Sequence, residues 1–313
     1  MAVKVNIPGV LTTVQDEGRT GYQKSGMTCS GVMDASAYRK CNYLVGNEES
    51  AAVLEFTLYG GEYEFTEDTI IALTGADMAP SVNDHPVPMN RAYQVKAGDV
   101  LKLGMAKSGC RTYLAVAGGL DVPMVMNSRS TNLRCKIGGC HGRALKVGDV
   151  ISAGSPKKSF DEVSGRKVSE AEYPDEVLVH VVPGPQEEYF TEKGIAAFYS
   201  ESYVVTEECD RMGYRLDGVQ VESKNGTDIV SDGIVYGSIQ IPSSGKPIIL
   251  MADHQTTGGY AKIGTVCQAD LPKIAQCKPG NHIRFQKISV EEAQESGRKQ
   301  RQEECGRMIP EKI

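Results

Sequence analysis

Short apolar segments, each closed by a turn residue, recur along the whole chain and restrict it to a β-rich fold. Residues 3–5, 52–58, 69–74, 100–103, 111–117, 177–182, 234–241 and 247–252 are rich in Val, Ile, Leu, Tyr or Thr and are bounded by Gly, Pro, Asn or Asp. Such runs read as strands, because β-branched and aromatic side chains suit a pleated, half-buried surface. The 34 glycines supply the turns that so many strands require. Helical signals are few. The clearest is DASAYRKCNYLVGN, residues 34–47, in which Asp34 can cap free backbone N–H groups. Ala37, Cys41, Leu44 and Val45 there share one face, and Gly46 suits a left-handed stop. A second helix is predicted from Pro185 through PQEEYFTEKGIAAFYS, with acids in the first turn where the helix dipole favours them. A third is predicted in ADLPKIAQC, around Asp270. Strands and helices do not alternate, which argues against a parallel α/β fold.

One small element occurs three times: KAGDVLKL from Lys96, KVGDVISA from Lys146 and KPGNHIRF from Lys278. Each is a Gly-Asp or Gly-Asn turn feeding a strand. The spacing is too uneven for a solenoid, but it hints at two related β-barrels. A length of 313 residues agrees with two domains. The polar stretch SPKKSFDEVSGRKVSEAEYPDE, residues 155–176, has the composition of a linker. It sets an N-terminal barrel at 1–155 and a C-terminal barrel at 176–290. Residues 291–313 form a charged tail, helical or frayed, with one solvated face.

Composition narrows the function classes. A net charge of -6 argues against unspecific nucleic-acid binding, which needs a basic face. No run approaches the roughly 18 apolar residues of a membrane span. The start, MAVKVNIPGVLTTVQ, lacks the regions of a signal peptide. Nine irregularly spaced cysteines read as reduced thiols, so a cytoplasmic protein is expected. No metal is predicted: CKIGGCH offers Cys135, Cys140 and His141 but no second ligand pair. SSGKPI lacks the upstream glycine and the hydroxyl residue of a phosphate loop. No Gly-x-Ser-x-Gly elbow is present.

Three polar stretches are denser than folding alone requires. In the first, residues 12–34, Asp16, Arg19 and Ser30 lie among glycines, and Arg19 offers a planar fork suited to carboxylate or phosphate. The alternative there is a turn held by Asp16 and Arg19. In the second, residues 118–131, Arg129 sits between Ser128 and Ser130. The third is the longest, residues 231–264. Ser238 and Gln240 share one side of a strand. The apolar run KPIILM then gives way to ADHQTTGGYAKIG, far richer in functional groups than a turn needs. The alternative for this loop is a hydrogen-bonded lock on the barrel.

The stretches VQDEGRTGYQKSGMTCSGVMD, GGLDVPMVMNSRST, VVPGPQ, RMGYRLDG and DGIVYGSIQIPSSGKPIILMADHQTTGGYAKIG resemble the biotin-dependent carboxyltransferase family, also known as allophanate hydrolase subunit 2 or the KipI-antagonist family. The matches run in order from about Gly9 to Phe285. The resemblance implies two tandem cyclophilin-like β-barrels. It also implies a KipI-like sister subunit, similar to allophanate hydrolase subunit 1. Bacterial members include the C subunit of the ATP-dependent 5-oxoprolinase. There a LamB/YcsF-like third subunit joins, and 5-oxoproline is opened to glutamate at the expense of ATP. The implied function is that of a hydrolase subunit inactive alone, with ATP used at the level of the complex. Two alternatives stand beside it: a carboxyltransferase-type subunit of a urea carboxylase or allophanate hydrolase system, and a non-enzymatic antagonist that binds a KipI-like kinase inhibitor. The chain has no MKM biotin-carrier motif and no biotin-carboxylase segment. The family often carries Arg where His254 stands, and YPKI where this chain has YAKI, which makes His254 a weak candidate for an essential base.

The candidate catalytic residues are Asp253 and Lys262. The candidate substrate-binding residues are Arg19, Arg129, Ser238, Gln240, Gln255, Thr256, Thr257, Gly258, Gly259 and Tyr260. Gln255, Thr256 and Thr257 can hydrogen-bond an amide or lactam, and either Lys262 or Arg19 can neutralise an anion. Asp253 can orient one of these groups or act as a general base.

Overall fold

The computed structural model describes residues 2–307. It divides into two units. The first comprises Met1–Arg19, Ser30–Tyr173 and Glu303–Ile313; the second comprises Thr20–Cys29 and Pro174–Gln302. Both are mainly β, as the short, turn-bounded segments require.

The first unit contains two sheets. A six-stranded sheet runs in the order Val150–Ser152, Ala2–Ile7, Tyr59–Phe65, Val100–Met105, Ser81–Val82, His85–Pro86. A five-stranded sheet runs Leu11–Gln15, Val53–Thr57, Arg111–Val116, Thr69–Gly75, Ala92–Val95. Val3, Val5, Phe56, Tyr63, Leu101 and Leu114 belong to one core cluster. The helix Ala35–Val45 feeds a second cluster, in which Tyr38, Cys41 and Leu44 join Ala72, Tyr113 and Ala115 of the five-stranded sheet. Its ends follow the sequence signals. The Asp34 carboxylate accepts from the Ala37 N–H at 2.9 Å, and Gly46 is left-handed.

The second unit is a closed barrel of Glu176–Pro183, Lys262–Val266, Ser238–Gln240, Ile248–Leu250, Gly213–Asp217, Ser202–Cys209 and His282–Lys287. It closes through a parallel pairing of the last strand with the first, from Glu176↔His282 to Val181↔Lys287. All the other barrel pairings are antiparallel. Phe198 stacks on Phe285 in its core with centroids 4.4 Å apart. A two-stranded ribbon, Asp228–Gly233 paired with Thr257–Tyr260, completes the unit.

Three expectations need adjustment. The helix expected from Pro185 begins at Glu192, because Thr191 caps it by accepting from the Gly194 N–H at 3.0 Å; only a 3-10 turn, Glu187–Tyr189, precedes it. The strand expected over 234–241 shortens to Ser238–Gln240. The polar stretch 155–176 is not a loose linker over its first part, since Val163 and Val168 are buried in the core cluster of the first unit and Arg166 lies 4.7 Å over the Tyr43 ring. Its many charges mask these two anchors.

The repeated turn is one structure used three times. Gly98, Gly148 and Gly280 have φ of 88°, 87° and 88°. The following Asp99, Asp149 or Asn281 side chain accepts from the backbone N–H of Lys96, Lys146 or Lys278 at 2.8, 2.8 and 2.9 Å. A positive φ at the third position defines a type II turn and selects glycine there. Arg143 adds a bidentate clasp on Asp149, Nη1–Oδ2 2.7 Å and Nη2–Oδ1 2.9 Å. The Arg143 hydrogen bonds push the Asp149 carboxyl down to about 2, with help from the Lys146 N–H. An unfolded Asp titrates near 3.9. The stabilisation is therefore complete above about pH 4 and is lost as pH falls towards 2. Acid unfolding of Asp149→Asn should be less steep than that of the parent between these values. Identical acid profiles would show that the clasp contributes nothing.

Candidate functional site

The loop that follows the strand Ile248–Leu250 is anchored before it becomes reactive. Met251 and Ala252 are buried, and the Asp253 N–H donates to the Arg211 carbonyl at 2.7 Å. The Arg211 guanidinium then clasps the Asp253 carboxylate, Nε–Oδ2 3.0 Å and Nη2–Oδ1 3.2 Å, with both side chains almost fully buried. Both carboxylate oxygens of Asp253 are thus taken up by Arg211. His254 is also buried, and its Nδ1 donates to the Gln255 carbonyl at 2.7 Å. Burial pushes the His254 imidazole below its ordinary value, so it is neutral at pH 7.

Beyond His254 the chain turns outward. Thr256 accepts from the Ile234 N–H at 3.0 Å through its carbonyl, and Thr257 starts the ribbon strand. Gly258 is required by close approach. A Cβ there would lie 2.5 Å from Ile234 Cδ1 and 2.7 Å from Gln240 Nε2. Gln240 Nε2 donates to the Tyr260 carbonyl at 3.4 Å, which ties the barrel floor to the ribbon. Gly259 and Tyr260 follow, with Tyr260 exposed. Ser238 and Gln240 are both buried, and Ser238 Oγ accepts from the Val235 N–H at 3.3 Å.

Lys262 opens the strand Lys262–Val266. Its backbone N–H donates to Gln186 Oε1 at 3.2 Å, and its Nζ to Asp232 Oδ2 at 3.1 Å. The lysine side chain is only 5% exposed, whereas its Asp232 partner is 55% exposed. The Lys262 contact is the main cause that holds the Asp232 carboxyl below its ordinary range. A buried ammonium is thus held on the half-exposed Asp232, while the Gln186 amide oxygen takes the backbone N–H of the same lysine. The Gln255 amide, 3.5 Å from the position of a Gly258 Cβ, makes no side-chain hydrogen bond among the described residues.

The structure therefore brings Gln240 and Gln255 to Gly258 of the ribbon, with Lys262 reaching the ribbon through Asp232, whereas Asp253 lies past the opposite end of the strand Ile248–Leu250, on Arg211; Ser238 pairs with Thr265, and Thr256, Thr257, Gly259 and Tyr260 belong to the ribbon or lead into it. Arg19 and Arg129 belong to the first unit. There the Asp16 carboxylate accepts from the Gly18 N–H at 2.8 Å, the Ser128 hydroxyl at 2.6 Å, the Ser130 hydroxyl and the Arg129 N–H. Arg19 is fully buried and donates to the carbonyls of Val125 and Ser130. Three further residues partner these groups: Arg211 for Asp253, and Gln186 and Asp232 for Lys262. Each lies in a stretch that stands out in the sequence, RMGYRLDG, VVPGPQ or the start of 231–264, but nothing local marks it as a partner of the loop. Among the described residues no three His, Cys, Asp or Glu side chains gather as a metal-binding set, and the eight described cysteines are free thiols.

The closed barrel with its Gly-rich polar ribbon and the second β-rich unit make up a fold shared with solved urea amidolyase and urea carboxylase structures. The family model for the carboxyltransferase domain, subdomain A and B, matches residues 25–287, and the chain belongs to that family. Over 295 residues it is 39% identical to the C subunit of 5-oxoprolinase of Escherichia coli, covering 93% of each chain. It is 36% identical over 315 residues to urea amidolyase of Lachancea kluyveri, covering 94% of this chain but 17% of that one. The crystal structure of the K. lactis urea amidolyase superposes with a TM-score of 0.91 at 30% identity, covering all of this chain and 20% of that chain. The chain thus spans about a fifth of the urea amidolyases it matches.

Proposed function

We propose that this chain is a subunit of an ATP-dependent 5-oxoprolinase, which opens 5-oxoproline to glutamate together with a KipI-like subunit and a LamB/YcsF-like third subunit. The observation that carries this reading is the end-to-end match, 93% of both chains, with a free-standing oxoprolinase subunit. Lys262 and Gln255 support it chemically. Opening a lactam turns a planar carbonyl into a tetrahedral centre with charge on oxygen. A desolvated cation such as Lys262 is suited to that oxygen or to the substrate carboxylate. The Gln255 amide can pair with the lactam N–H and C=O. Asp253, held by Arg211, fixes the loop that carries Gln255. ATP is consumed by the assembled complex, and no residue of this chain is assigned to it.

The test is reconstitution. The three subunits together should release glutamate and phosphate from 5-oxoproline and ATP, whereas this chain alone should do neither at a useful rate. Robust turnover by the isolated chain, or none by the complex, would refute the reading. The urea amidolyase relatives favour a second reading, a carboxyltransferase-type subunit acting on urea. Carboxylation of urea by an assembly containing this chain, with no 5-oxoproline turnover, would establish it instead.

A further inference from the structure

The first unit contains a cavity of about 430 Å³ that none of the roles above uses. Val122, Val125 and Ile151 form part of its apolar wall, and residues 136–142 line another side. In this stretch Lys136, Gly138, Gly139, His141 and Gly142 all have positive φ, between 50° and 69°. A backbone folded in this way presents successive N–H groups as an anion-binding nest. Three of the N–H groups are used internally, Ile137 to the Asn132 carbonyl at 3.2 Å, Gly139 to the Arg129 carbonyl at 2.9 Å and Gly142 to the Gly138 carbonyl at 2.8 Å. Those of Gly138, Cys140 and His141 meet no acceptor among the described residues, although Gly138 and Cys140 are buried. A buried donor without an acceptor costs roughly 1–3 kcal/mol, so it is seldom left without a purpose.

The charges around the cavity point the same way. Lys136 and His141 line it, and its only acidic lining residue, Asp121, is already held by Arg129 Nη2 at 3.2 Å. The Arg129 Nε is itself buried without an acceptor. The volume lies at the lower end of the range for small-molecule pockets.

We propose that this cavity binds a small organic carboxylate. The carboxylate sits on the N–H groups of Gly138, Cys140 and His141 with Lys136 beside it, and the apolar body rests against Val122 and Ile151. 5-Oxoproline belongs to this chemical class, but the assignment stands whether or not the complex turns it over.

The test uses the full chain labelled with carbonyl-¹³C isoleucine and ¹⁵N glycine. Only two Ile-Gly steps occur in the sequence, 137–138 and 263–264, so a carbonyl-filtered amide spectrum holds the Gly138 signal and a control from the barrel. The probes are cyclopentanecarboxylate and its neutral amide, cyclopentanecarboxamide. The carboxylate should move Gly138 in a saturable way while Gly264 stays still, and the amide should move neither. Gly138→Ala is unsuitable, since its Cβ would lie 2.0 Å from the Ser130 carbonyl oxygen. Lys136→Asn keeps a residue that tolerates the left-handed region, and it should weaken the carboxylate about threefold to fivefold, the upper part of the range for one exposed charge. A Gly138 signal unmoved by the carboxylate, equal shifts from both probes, or an unchanged affinity in Lys136→Asn overturns the proposal.

Discussion

Asp253→Asn will lower the unfolding free energy of the second unit by about 3–5 kcal/mol, the usual cost of leaving one partner of a buried ion pair uncompensated. The expectation rests on the two-point clasp by Arg211 at 3.0 and 3.2 Å, with the side chains 4% and 6% exposed. Asparagine keeps the volume and removes the charge, so the guanidinium is left buried with a neutral neighbour. The chain has no tryptophan, and urea unfolding is therefore best followed by circular dichroism. The double variant Arg211→Met/Asp253→Leu should recover much of the loss, because it removes both charges and fills the space. Activity of the assembled complex should fall in Asp253→Asn only as far as the folded population falls. A variant as stable as the parent but without activity would transfer Asp253 from positioning to chemistry.

Lys262→Met should do the reverse. Methionine keeps most of the apolar stem that the barrel buries, and the partner lost is the half-exposed Asp232, worth little to stability at the surface. Stability should change by less than about 1 kcal/mol. The kcat/KM of the assembled complex should drop about a hundredfold, the scale for losing one positioned charge at a reacting oxygen. Native mass spectrometry of the variant complex separates chemistry from docking. Intact assembly with the drop supports the assigned role, failure to assemble marks the barrel end as a docking surface, and full activity removes Lys262 from the site.

Turn and cap chemistry is legible without any structure. Asp34 and Gly46 mark the ends of the helix Ala35–Val45 from positions next to it. The three Lys-x-Gly-Asp/Asn turns form because glycine alone relaxes at φ near 88° and the next side chain reaches back three residues. These bonds close within four residues, so their signals sit in the sequence. Thr191 is the less conspicuous helix start beside Pro185, because the acids after Pro185 imitate a first helical turn. Only the cap on the Gly194 N–H decides between them.

Local sequence is thus enough for a mainly β chain, about half of the twenty strands among the described residues, the three repeated turns, the helix at 34–47, and a stretch at 252–264 too rich in functional groups to be a plain turn, although the fold makes strands of Thr257–Tyr260 and Lys262–Val266. What those groups do depends on contacts that the fold alone makes. Asp253 meets Arg211 across 42 residues, Lys262 meets Asp232 across 30, and Asp16 meets Ser128 across 112. The same acid reads as a candidate base in the sequence and as half of a buried ion pair in the fold. The physical reason is that burial and partner choice are set by how the barrel closes. That closure includes a parallel pairing of residues 176–181 with 282–287, contacts of high sequence separation that no local pattern encodes.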